Sequence, residues 1–253
     1  RNNALKYMAQ VICRPKLLIA PPQAAPATAR LVVAAGKSPF GAELLRMVGD
    51  RKKKDYDRSD DRADILNALM AYDSLLTYYR TYKDGPKIQQ EIIDEGYKLE
   101  TDEQKKIEIY LRNKYRYFEL FNRNGAWART AVSSGEVSPK ELKDADEKAS
   151  GFLETVAKQY YNKARTSGDS KKLRESLDLF VKYFETYPEK PEAYRLNWQL
   201  ATELRDLGDF DRAYEQFMRV SHARQEDHRK DAAIEAIAAA QRIIDAEKVG
   251  STR

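Results

Sequence analysis

The stretch from Pro188 to Val220 constrains the fold more than any other part of the chain. Leu200, Ala201 and Leu204 recur at helical spacing before Gly208, and Phe210, Ala213, Phe217 and Val220 do so after it. Pro188 and Pro191 bound the first stripe, and Gly208-Asp209 separates the two. Glycine after a periodic stretch and aspartate before the next are the usual stop and cap of successive helices. The pattern predicts two short antiparallel helices joined by a glycine turn. Ala201 and Ala213 are small enough for the helices to approach closely, and the aromatic residues fill the space around them. A hairpin of this kind needs neighbours to cover its remaining apolar surface.

The rest of the chain reads in the same period. Ile65, Leu69, Tyr72, Leu76 and Tyr79 mark one face of a long helix that must stop before Gly85-Pro86. Lys87 to Lys98 is a shorter helix with Ile88, Ile92 and Ile93 on one side. Thr101 and Gln104 are placed for a capping box, and the helix they open, with Ile107, Tyr110, Leu111, Tyr115, Tyr117, Phe118 and Phe121, should end at Asn124-Gly125. Residues 126 to 137, with Trp127, read as a connection. Ser138-Pro139-Lys140-Glu141 is the clearest helix start: Ser138 caps, Pro139 occupies a position that needs no donor, and Glu141 closes the box. That helix should run to Ser167, the next from Leu173 to Tyr187, and the last from Asp231 to Glu247. No stretch alternates with period two, so the chain is all-α.

Charge is unevenly placed. The chain has 253 residues, with 34% charged, 42% hydrophobic and a net charge of +5. Residues 1 to 58 hold 12 Lys or Arg against 4 Asp or Glu, while the remainder is slightly acidic. Ala20 to Ala29 is Ala/Pro-rich, and Arg51 to Arg58 is densely charged. Residues 1 to 58 therefore read as an extended basic arm or linker holding only short helical stretches, Asn3 to Ile12 and Ala42 to Val48. Residues 59 to 137 form a helical hairpin region, and residues 138 to 253 the body that contains the paired helices. Arg51, Lys52, Lys53 and Lys54 are the candidate contacts for an anionic partner, with a solvated connector as the plainer reading. The acidic body gives no indication of a specific nucleic-acid surface.

Residues 191 to 220 resemble a tetratricopeptide repeat in Leu200-Ala201, Leu204, Gly208-Asp209-Phe210, Ala213, Phe217 and Val220, with Trp198 one place off the usual aromatic position. Residues 154 to 188 resemble it more loosely. There Tyr160-Tyr161 replace the Leu-small pair and Ser170-Lys171-Lys172 look like an insertion. Ser176, Phe180, Tyr183 and Pro188 fall in place. The last helix is similar to the first half of a third unit. The resemblance covers about 100 of the 253 residues. It implies a right-handed solenoid of antiparallel helix pairs that binds or scaffolds proteins within a larger assembly, with the first helix of each unit lining a concave groove. On that basis Arg195, Asn197, Gln199, Thr202 and Glu203, with Asn162 and Arg165 one unit earlier, are the candidate partner-binding residues. Degenerate repeats of this kind and an Ala/Pro tether suit a bacterial envelope or periplasmic protein, with a cytoplasmic placement as the alternative.

Chemistry-bearing residues are sparse. His222 and His228 lie six apart, where helical metal ligands would be three or four apart. The single cysteine, Cys13, excludes an internal disulfide and a cysteine-based metal site. There is no phosphate-binding glycine loop and no nucleophile elbow. The chain is read as non-enzymatic, with no cofactor or metal. Its 16 tyrosines cluster around Tyr110 and Tyr117, whose wide apolar face reads first as core and second as an interface. No apolar run reaches the roughly 20 residues of a membrane helix, although the charge of the basic arm leaves as the alternative a helical protein associated through that arm with RNA or with a membrane surface. The start at Arg1 and the closing helix without a partner suggest a processed product or part of a longer chain.

Overall fold

A computed structural model of the chain describes residues 2–12, 24–223 and 227–250. Twelve helices and no strand occur among the described residues. The chain divides into two compact units, Arg1–Ala149 and Ser150–Arg253, and the division falls inside a helix.

In the first unit, α1 (Asn2–Ile12) packs on α3 (Pro39–Ser59), while α2 (Ala24–Ala34) packs on α3 and on α4 (Arg62–Tyr78). The expected extended arm is thus helical in its described part. Cys13 and the first four residues of the Ala/Pro stretch lie outside the described residues. The rest of that stretch is α2. Pro26 does not prevent this, because it sits in the first turn, where backbone N–H groups have no intrahelical acceptor. Ala24 and Ala25 are fully buried, and the Ala25 N–H donates to Asn67 Oδ1 at 3.3 Å. Alanine serves here as a close-packing residue, which composition alone reads as a linker.

The charged run is not a connector either. It lies within α3, a helix of 21 residues, and three of its cations are paired. Arg51 pairs with Asp55 at 3.1 Å, Lys52 with Asp64 at 2.8 Å, and Lys53 with Glu91 at 3.1 Å. Asp60 at φ 55° turns the chain, and the Asp61 side chain caps α4. Gly49 lets α3 approach α4 over the Tyr72 ring, whose hydroxyl donates to Asp50 at 2.8 Å.

Ile88, Ile92 and Ile93 on α5 (Gly85–Leu99) are buried as their spacing predicts. α6 (Glu103–Phe121) packs on α5. Its cap is Asp102, which accepts from Lys105 N–H at 2.9 Å, so the expected Thr101–Gln104 box does not form. The Gln104 amide turns instead to Glu108. Asn124-Gly125 is not a left-handed stop: α6 ends at Phe121, and Gly125, at φ −73°, caps α7 (Ala126–Ser134). Residues 126 to 134 are therefore a helix where a connection was expected. It is anchored by Trp127, which is buried against Phe121 and donates through Nε1 to the Tyr82 carbonyl at 3.0 Å. Ser138 and Glu141 do form the expected reciprocal box at the start of α8 (Pro139–Ser167).

The second unit continues with α9 (Ser170–Thr186), α10 (Pro191–Asp206), α11 (Phe210–Ser221) and α12 (Arg229–Gly250), each packed on the preceding one from α10 onward. Asp169 caps α9 through Lys171 and Lys172 N–H, so the expected insertion is the first turn of the helix. Between α10 and α11, Gly208 has φ 76°. The Asp209 N–H donates to the Leu204 carbonyl and the Gly208 N–H to Arg205, both at 2.9 Å, which is a Schellman stop. Ala201, Leu204, Ala213 and Phe217 are fully buried there. α12 packs inward through Ala232, Ala236 and Ala239, leaving Ile234 and Ile237 exposed.

Candidate functional site

The second unit holds a cleft of about 210 Å³ between α8, α9 and α10. Its floor is apolar: Leu177 and Phe180 from α9, Leu196 and Leu200 from α10. All four follow from the helical period of their segments, which turns one stripe of each helix inward. Its rim is polar: Lys158, Tyr161 and Asn162 from α8, Gln199 and Glu203 from α10.

One end of the cleft is fixed by a three-residue latch. The Tyr161 hydroxyl donates to Glu203 Oε1. Arg165 Nη1 donates to both, at 3.0 Å to the hydroxyl and 3.2 Å to the carboxylate. The Tyr161 ring stands edge-on to Phe180, with centroids 6.0 Å apart and planes at 84°. Burial, reinforced by the bond to the Glu203 carboxylate, pushes the Tyr161 phenol up to about 12. The phenol is therefore a neutral donor at any physiological pH and holds α8 at a set distance from α10.

Three of the residues expected in a groove, Asn162, Gln199 and Glu203, line this cleft, and Arg165 closes it. The others lie elsewhere. Arg195 is exposed on α10 outside the lining. Asn197 is buried. Thr202 turns its hydroxyl back to the Trp198 carbonyl at 3.0 Å. Tyr110 and Tyr117 belong to the first unit. Tyr110 packs beside Tyr97 at 5.1 Å under the Lys114 ammonium, and Tyr117 is buried edge-on to Phe121. Tyr117 also contributes to a wider cleft in that unit, on whose rim Lys87 pairs with Glu141 at 3.1 Å.

Of the anionic-contact candidates, Lys52 is buried and ion-paired, Arg51 and Lys53 are paired, and Lys54 is exposed. His222 bonds the Met218 carbonyl through Nδ1 at 2.8 Å, and His228 stacks on Trp198. No group of three or more His, Cys, Asp or Glu placed to hold a metal ion occurs among the described residues, and no described helix is long and apolar enough to cross a membrane.

Lys158 and the Tyr161 hydroxyl were not legible as rim groups. Their helix is apolar on one side only, and nothing in its period shows which polar neighbours reach α10. The cleft offers an apolar socket, two primary amides that can each donate and accept, and the Lys158 ammonium, which is paired with Glu154 at 2.6 Å.

Comparison with protein-family models, with curated proteins and with solved structures finds no match to this chain.

Proposed function

We propose that this chain is a non-enzymatic scaffold: a tetratricopeptide-like, right-handed solenoid of antiparallel helix pairs that holds a segment of a partner protein in the α8–α10 cleft. One observation carries the reading. Asn162, Gln199 and Glu203, on the first helices of two successive pairs, converge over an apolar floor supplied by α9 between them and by the inward stripe of α10. That is the arrangement in which exposed amides take the backbone of a bound segment and the socket takes one aliphatic or aromatic side chain. The mixed rim, with Lys158 paired to Glu154 and Glu203 held by Tyr161 and Arg165, suits a neutral or mixed segment better than an acidic tail. A subunit of a bacterial envelope assembly is the setting that fits the charged surface and the short array.

A random peptide display library panned against the intact chain tests this. Peptides sharing one apolar anchor should be enriched, and Asn162→Arg and Gln199→Arg should each weaken binding about tenfold, the loss of one to two good polar contacts at a packed rim. Both residues are exposed, so the variants should fold as the parent does. No enriched motif, unchanged binding in both variants, or a measured turnover would overturn the proposal.

A further inference from the structure

Residues 1 to 42 contain six of the chain's 45 Lys and Arg and none of its 40 Asp and Glu, the first acidic residue being Glu43. Of these cations Lys6 lies on α1, Arg30 on α2 and Lys37 in the turn after α2, and both helices are folded. Leu5, Ala9 and Ile12 of α1, with Ala24 and Ala25 of α2, share a core with Leu44, Val48 and Ala71. After that core is filled, the two helices still present large apolar side chains to solvent: Tyr7 is 65% exposed, Met8 45%, Leu31 51% and Val33 47%. Lys6 and Arg30 are exposed as well, and so is Lys37, whose ammonium lies 5.3 Å from the centre of the Tyr78 ring.

Exposed aliphatic groups interleaved with cations, in a stretch without a single carboxylate, match an anionic lipid surface in both chemistries it presents. The cations meet the headgroup phosphates, and the apolar side chains enter the headgroup–acyl boundary. A nucleic acid would use the cations and would stack on aromatic rings, leaving Met8, Leu31 and Val33 without a role. Arg51, Lys52 and Lys53 do not contribute, because their charges are taken up within the fold.

We propose that α1 and α2 form a peripheral docking surface for an anionic lipid bilayer. This is independent of the α8–α10 cleft.

The test is co-sedimentation of the full chain with phosphatidylcholine vesicles containing phosphatidylserine, against vesicles of phosphatidylcholine alone. Binding should be at least about tenfold stronger to the anionic vesicles and should weaken with added salt. The charge-reversal variant Lys6→Glu/Arg30→Glu/Lys37→Glu and the polar variant Met8→Ser/Leu31→Ser/Val33→Ser should each lose about tenfold or more, with helicity and melting retained, while Lys54→Glu stays at the parent level. Absence of binding, or equal binding to both vesicle types, would overturn the proposal. Loss on charge reversal alone, accompanied by equally tight binding to single-stranded RNA, would assign the surface to a polyanion instead. A dimer that the polar variant dissociates, with no vesicle binding, would assign it to a second copy of the chain.

Discussion

The imidazole of His228 lies flat on the indole of Trp198, with ring centroids 4.7 Å apart and planes 7° from parallel. The His228 backbone N–H also donates to the Tyr194 hydroxyl at 2.9 Å. One residue just before α12 is thus held by two rings of α10, and the Trp198 ring in turn packs on Phe217 of α11. The residue that spacing dismissed as a metal ligand is a packing element that joins three helices.

His228→Ala should therefore destabilise the second unit by about 1 kcal/mol, the usual worth of a stacked aromatic pair, and His228→Phe should recover most of it. Chemical denaturation followed by far-ultraviolet circular dichroism gives the midpoints. Equal midpoints for parent and alanine variant would deny the stack a structural role.

Glycine positions should separate two kinds of cost. At Gly208 a Cβ meets open space, so Gly208→Ala costs only the left-handed backbone, about 1 to 2 kcal/mol. At Gly49 a Cβ would lie 2.3 Å from the Tyr72 ring, which is buried and tied to Asp50. Gly49→Ala should cost more, about 3 kcal/mol, through displacement of that ring. Differential scanning calorimetry of the two variants checks the order, and the reverse order would contradict the α3–α4 packing.

Lys52→Met should be strongly destabilising, by about 3 kcal/mol, because it leaves the largely buried Asp64 carboxylate without its cation. Lys52→Met/Asp64→Leu should return close to the parent. A double variant as unstable as the single would mean that the ion pair itself, and not the orphaned charge, sets the cost.

Alkali should loosen the latch at the cleft. The folded-state pKa of Tyr161 is raised, first by burial and then by its bond to Glu203, to about 12 from an ordinary value of about 10. The stability it contributes is complete below about pH 10 and is lost as pH rises toward about 12. Burial also raises Tyr72 and Tyr117, so the parent and Tyr161→Phe should both lose stability there. The parent should fall more steeply. Parallel melting curves across that window would contradict the Tyr161–Glu203 bond.

Periodicity and local stops were legible wherever one side chain decided the backbone. The Ser138–Glu141 box, the Gly208 turn and the isoleucine face of α5 are of this kind. What the sequence concealed depends on partners far along the chain. Lys53 reads as solvated until Glu91 is seen beside it, and Ala25 reads as linker until Asn67 receives its N–H. Part of the cleft was visible because Asn162, Gln199 and Glu203 recur on the polar stripes of two helices. Tyr161 was not, since its hydroxyl acquires a role only from a carboxylate 42 residues away.

The seating of α2 on α4 bears on any attempt to dissect the chain. A cut at the first dense block of charge would discard residues that look expendable. It would bare Ala68 and Ala71 on α4 and deprive Asp64 and Asn67 of their partners. A fragment that begins ahead of the alanines, well upstream of where composition would place the scissors, keeps this packing whole.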